Sequence, residues 1–170
     1  MNTEKRRVEE ENILDSIYSQ ISSFDNKASI LVSIVGIVFA LILNFLDVFS
    51  GESFNTIETN VKITYYFLFI LFCLVALLTI FSFIMVIFPR KHKDAIHAPN
   101  YYRNIAQTDE EQYKQDLDKY LDTDDIIIKQ IKINADICNK KHFWLKVGII
   151  LLIPFALIMF SLILLTIFCF

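Results

Sequence analysis

Glycine is scarce, with three residues in a chain of 170. So few cannot build the glycine-rich loops that cradle phosphates, and no G-x-x-x-x-G-K, G-x-G-x-x-G, G-x-S-x-G or H-E-x-x-H stretch occurs. The histidines, His92, His97 and His142, lack ligand spacing and carboxylate partners, so no metal set forms. Cys73, Cys138 and Cys169 are scattered without a C-x-x-C pair and read as packing residues rather than disulfide or metal ligands. The acids Asp109, Glu110, Asp116, Asp118, Asp122, Asp124 and Asp125 read as a solvated surface. No catalytic constellation remains. The expectation is a protein that is not an enzyme, with no catalytic residue, cofactor, metal or nucleic-acid partner.

Charge is the second shortage, and it is local. No charged residue stands between Ala28 and Leu46, none between Ile63 and Phe88, and only Lys146 between Phe143 and Phe170. About 20 apolar residues in a helix cross a ~30 Å hydrocarbon core, so each run suffices for one span. Lys146 lies near one end of its run, where a long side chain reaches the headgroups. With 55% hydrophobic residues and a mean hydropathy of +0.48, the chain is too apolar for a soluble core of this size. Pro89 stops the second run because it cannot continue a helix ladder. The polar prefix is long and no A-x-A site follows the first run, so that run reads as a retained span.

The basic residues orient these spans. Lys5, Arg6, Arg7 and Lys27 precede the first, Arg90, Lys91 and Lys93 follow the second, and Lys140, Lys141 and Lys146 open the third. Between spans one and two stand Asp47, Glu52 and Glu58 against a single Lys62. The positive-inside rule then places the N-terminus in the cytoplasm and the C-terminus in the periplasm. The expected plan is all-α. A cytoplasmic amphipathic helix (1–27) leads to span one (28–49), a short periplasmic loop (50–62) and span two (63–88). A small helical cytoplasmic region (89–142) then ends in a long stem helix continuous with span three (143–170).

Four stretches carry further information. In the first, Leu14, Ile17, Tyr18, Ile21 and Phe24 share one helical face, and no Gly or Pro separates them from span one, so one helix can run through both. In the second, Ser29, Ser33, Gly36, Ala40, Asn44 and Asp47 recur at steps of three or four and form a small, polar stripe. Such a stripe suits either close helix packing or the wall of a pore made by several protomers. In the third, Thr108-Asp109-Glu110-Glu111 matches a capping box with Thr108 as N-cap, starting a helix to about Tyr120 with Tyr113, Leu117, Tyr120 and Leu121 inward. In the last, from Asp124 the residues Ile128, Ile131, Ala135, Cys138, His142 and Leu145 repeat at three- and four-residue steps, with no breaker before Gly148 and Pro154. That repeat fits packing within one protomer or a coiled coil between protomers. A basic and aromatic cluster, Arg90, Lys91, Lys93, Tyr101, Tyr102 and Arg103, suits either a phosphate and a stacked base or anionic lipid.

The order of these landmarks carries a resemblance. Asp25-Asn26-Lys27-Ala28-Ser29 opens span one, and Phe88-Pro89-Arg90 closes span two. Then follow Asn100-Tyr101-Tyr102-Arg103-Asn104-Ile105, the acidic stretch Thr108 to Tyr113, and Lys129 to Ile137 leading through Lys140-Lys141 into span three. From about Leu14 onward the chain resembles the Pycsar transmembrane effector family, the PycTM-like proteins of bacterial anti-phage defence. The matching positions are Asp25, Lys27, Ala28, Pro89, Arg90, Tyr101, Tyr102, Ile105, Tyr113, Gln130, Ala135 and Lys141. The resemblance implies an abortive-infection effector in the inner membrane, functionally paired with a pyrimidine cyclase. Cyclic CMP or cyclic UMP would trigger it, and it would impair the membrane. Three helices cannot enclose a water-filled pore, so permeabilisation calls for a homo-oligomer in the bilayer or for local bilayer damage. The alternatives are a non-enzymatic membrane scaffold or assembly subunit, and a small constitutive ion channel.

Overall fold

The computed structural model describes residues 3–44, 58–88, 109–121 and 124–169. These form four helices: α1 (Thr3–Asn44), α2 (Thr59–Ile87), α3 (Glu110–Leu121) and α4 (Asp124–Cys169). Three of them, α1, α2 and α4, are long and apolar enough to cross a membrane. The architecture is therefore the all-α, three-span plan, with the last span at the end of the long helix α4. Residues 45–57, with Asp47 and most of the loop expected between spans one and two, lie outside the described residues.

The chain divides into two compact units, Met1–Ser22 with Pro89–Asn139, and Ser23–Phe88 with Lys140–Phe170. The second is the apolar bundle. On α1 its inward face is Phe24, Ala28, Leu31, Val35, Val38 and Ile42, at alternating steps of four and three. On α2 the buried face includes Tyr65, Phe72, Ala76, Thr79, Phe83 and Val86, again at steps that sum to seven. On α4 it runs through Lys141, Leu145, Phe155 and Leu162. A 3.5-residue repeat on each helix is what near-parallel helices packed side by side require.

At mid-height the rings fill the bundle. Phe72 of α2, fully buried, stacks on Phe39 of α1 at 5.9 Å and on Phe155 of α4 at 5.0 Å. Large apolar side chains such as Ile37, Phe67, Leu77, Ile153 and Leu157 point outward. Outward apolar groups are unfavourable in water and ordinary in hydrocarbon. The polar groups inside are satisfied locally. Thr79 and Ser82 donate their hydroxyls to the carbonyls of Val75 at 2.7 Å and Leu78 at 3.0 Å. Bonds of that kind keep a buried hydroxyl from standing unpaired.

Gly148 does not break α4, which continues through it and through Pro154. A Cβ on Gly148 would lie 2.4 Å from the Phe83 ring, so this glycine sets how closely α2 and α4 approach. Trp144, one turn away, meets Phe81 edge-on at 6.0 Å between centroids.

The first unit holds the polar helix α3. Here α3 starts one residue later than the capping box predicts. Asp109 accepts the Glu111 N–H at 2.9 Å, and its carbonyl accepts the Tyr113 N–H at 2.9 Å. Thr108 lies outside the described residues, as do the side chains of Leu117, Tyr120 and Leu121. Tyr113 is half-buried.

The stem face of α4 is rotated from the expected one. Ile127 is buried while Ile128 is 40% exposed, and Ala135 and His142 are exposed where Asn134 is half-buried and Lys141 buried. Ile131, Cys138 and Leu145 keep their expected places. The expectation followed the apolar residues, but Asn134 and Lys141 hold inward positions because each finds a partner on α1.

Candidate functional site

Lys141 is the buried charged side chain among the described residues, at 4% exposure. Its Nζ donates to Asp25 Oδ1 of α1, so the pair ties α1 to α4 where each helix passes from charged to apolar sequence. The two ends of the pair are unequal, since the Asp25 side chain keeps 34% of its surface and that of Lys141 only 5%. Ala28, fully buried, and Leu145, at 5%, lie one turn further along their helices and close the bundle beneath the pair. Beside it the Phe24 and His142 rings approach to 5.6 Å. In the sequence Asp25 stood out only as a motif match, and Lys141 as a motif match and one of the basic residues that orient span three. Their pairing across 116 positions has no local signal, since a helical period shows which residues share a face and not what they meet. Lys27 is exposed.

The small stripe of α1 faces away from the other two spans. Ser29, Ser33 and Ala40 are exposed, and a Cβ added at Gly36 would meet nothing within 4 Å. Ser33 returns its hydroxyl to the Ser29 carbonyl at 3.0 Å. The protomer therefore packs α1 through Ala28, Val35 and Ile42 and leaves the stripe uncovered. The Asn44 side chain is outside the described residues.

In the first unit, the inward face of α4 meets α1 through polar groups. Asn134 Nδ2 donates to the Tyr18 hydroxyl at 3.4 Å and to the Gln130 carbonyl at 3.0 Å, and Cys138 Sγ lies 3.9 Å from Gln20 Oε1. Sequence reasoning passed over Asn134 because it sought apolar residues. Pro89 and the cluster Arg90, Lys91, Lys93, Tyr101, Tyr102 and Arg103 lie outside the described residues. The described residues hold no group of His, Cys, Asp or Glu that could bind a metal.

An apolar three-helix bundle with an ion pair at one end and a polar helical annex defines a class, the multi-span helical membrane proteins. A family model described as the Pycsar effector protein domain matches residues 10–168. The chain belongs to that family and is a Pycsar effector of anti-phage defence, working with a cyclase system and associated with a membrane. That family is not a known class of enzymes. No curated protein and no solved structure matches the chain.

Proposed function

We propose that this effector impairs the inner membrane of the infected cell when a cyclic pyrimidine nucleotide, cyclic UMP or cyclic CMP, is made by its partner cyclase. The observation that carries the reading is the pairing of a filled bundle with an uncovered polar stripe. Phe39, Phe72 and Phe155 close the middle of the protomer, so its own three helices offer water no path. Permeation then needs several copies, and Ser29, Ser33, Gly36, Ala40 and Asn44 supply the surface on which copies meet or line water.

The basic residues support a cytoplasmic N-terminus, a periplasmic C-terminus and a cytoplasmic segment from Pro89 to His142. In that segment Arg90, Lys91, Lys93 and Arg103 suit the phosphate, and Tyr101 and Tyr102 suit the base. Shifting a two-state assembly from 1:99 to 99:1 takes roughly 5.5 kcal/mol of differential binding. In a tetramer that is about 1.4 kcal/mol per copy, within reach of one charge-assisted contact.

The test is expression with a pyrimidine cyclase followed by dye uptake and survival after infection, paired with leakage of vesicles holding the purified chain. Leakage raised by cyclic UMP or cyclic CMP is the expected result. Equal leakage with and without nucleotide rejects the trigger, and no leakage at all rejects permeabilisation.

A further inference from the structure

We propose that the Asp25–Lys141 pair is a latch: it holds the end of the three-helix bundle shut in the resting effector, and parting it is the step that opens the bundle. A buried ion pair stabilises a fold little beyond what a well-packed apolar pair would, whereas loss of one partner strands a charge in a poor medium. The pair therefore makes closure conditional on both groups. Asp25 keeps a third of its surface, so water and competing ions reach the carboxylate first, while Lys141 is shut in and depends on it. Beneath lie the small Ala28 and the buried Leu145, so separating α1 from α4 at this level uncovers the interior of the bundle at once. The Phe24 and His142 rings flank the pair with centroids 5.6 Å apart. The link from latch to leakage rests on the membrane-impairing reading.

The test uses the full chain in vesicles of phosphatidylethanolamine and phosphatidylglycerol, with two separate readouts. One is release of an entrapped dye without added nucleotide. The other is the rate at which a soluble maleimide reacts with an Ala28→Cys variant whose Cys73, Cys138 and Cys169 are replaced by serine. Asp25→Asn and Lys141→Met should each raise both rates at least about tenfold. The exchange Asp25→Lys with Lys141→Asp should bring both back to within about twofold of the parent.

If the parent responds to nucleotide and the single variants react faster with maleimide but release no more dye, the pair is only a strut and the latch is overturned. Unchanged maleimide rates overturn it as well. Should the single variants fail to fold, Asp25→Cys with Lys141→Cys decides. Bridged by a short bis-thiosulfonate the protein must hold dye, and after reduction it must release it; equal release in both forms overturns the latch. If neither parent nor variants release dye, with or without cyclic UMP and cyclic CMP, the membrane-impairing reading falls. The latch then stands or falls on the maleimide rate alone.

Discussion

Two glycines of this chain do opposite work, and their substitution separates packing within the protomer from packing between protomers. At Gly148 an added methyl would sit 2.4 Å from a ring carbon of Phe83, which is itself fully buried and has no room to withdraw. Gly148→Ala should lower stability by about 1–3 kcal/mol, the usual range for overpacking. Thermal unfolding followed by the fluorescence of Trp144, the chain's single tryptophan, reads the change at the contact itself. Phe83→Leu in the same chain should recover part of the loss, because it removes the clashing ring atoms. A Gly148→Ala protein as stable as its parent would disprove the close approach of α2 and α4. At Gly36 an added Cβ would meet nothing within 4 Å beyond its own helix backbone. Gly36→Ala should there leave the unfolding temperature unchanged or raise it, by up to about 1 kcal/mol through helix propensity.

At the scale of elements, α4 shows what a periodic pattern reveals and where it misleads. Its existence, its length and its passage from stem into span are legible, because an apolar repeat without a breaker runs from Ile128 into the last span. Its register is not. At 127 and 128 both residues are isoleucine, so hydrophobicity cannot choose between them, and at 134 and 135 it selects Ala135 over the inward Asn134. What decides is the partner: Asn134 has the Tyr18 hydroxyl and Lys141 has Asp25, and neither contact has any trace in local sequence. The same reasoning explains Gly148, which propensity marks as a weak point of the helix and packing makes its closest contact.

The register gives a sharp comparison. Ile127→Ala, at a site 7% exposed, should destabilise the protein by about 2–4 kcal/mol, while Ile128→Ala, at 40%, should stay below about 1 kcal/mol. Chemical denaturation of both variants in the same detergent checks the order, and a larger loss for Ile128→Ala than for Ile127→Ala would restore the register read from the sequence. The cap of α3 is a smaller case. Asp109→Ala removes the acceptor of the Glu111 N–H and should cost about 1 kcal/mol of local stability, visible as faster amide exchange in the first turn of α3.

For the whole molecule the question is what one protomer leaves undone. Its spans bury one heptad-spaced face each against the others, and the aromatic stack at Phe39, Phe72 and Phe155 fills the middle. The stripe of α1 was legible as a stripe, since its spacing is local, but which of two surfaces it would face was not. That choice depends on where α2 and α4 dock, and they dock on the side of Ala28, Val35 and Ile42. A bilayer gives small side chains no advantage over leucine, whereas a second helix does, because backbones approach closely there.

If permeation is the work of several copies meeting through this stripe, it has to scale with concentration as an assembly does. Vesicle leakage measured against the protein-to-lipid ratio should rise with a logarithmic slope well above one, approaching the number of copies at low occupancy. Gly36→Ile should flatten that dependence and abolish leakage while leaving unfolding unchanged, because a Cβ at this position meets nothing within 4 Å in its own protomer. A slope of one with full activity in Gly36→Ile would mean that a single copy injures the bilayer, and that the stripe has no part in it. A steep slope with an active Gly36→Ile would keep assembly but move the meeting surface to another face, and Ile153 and Leu157 on the outward side of α4 would be the next positions to change.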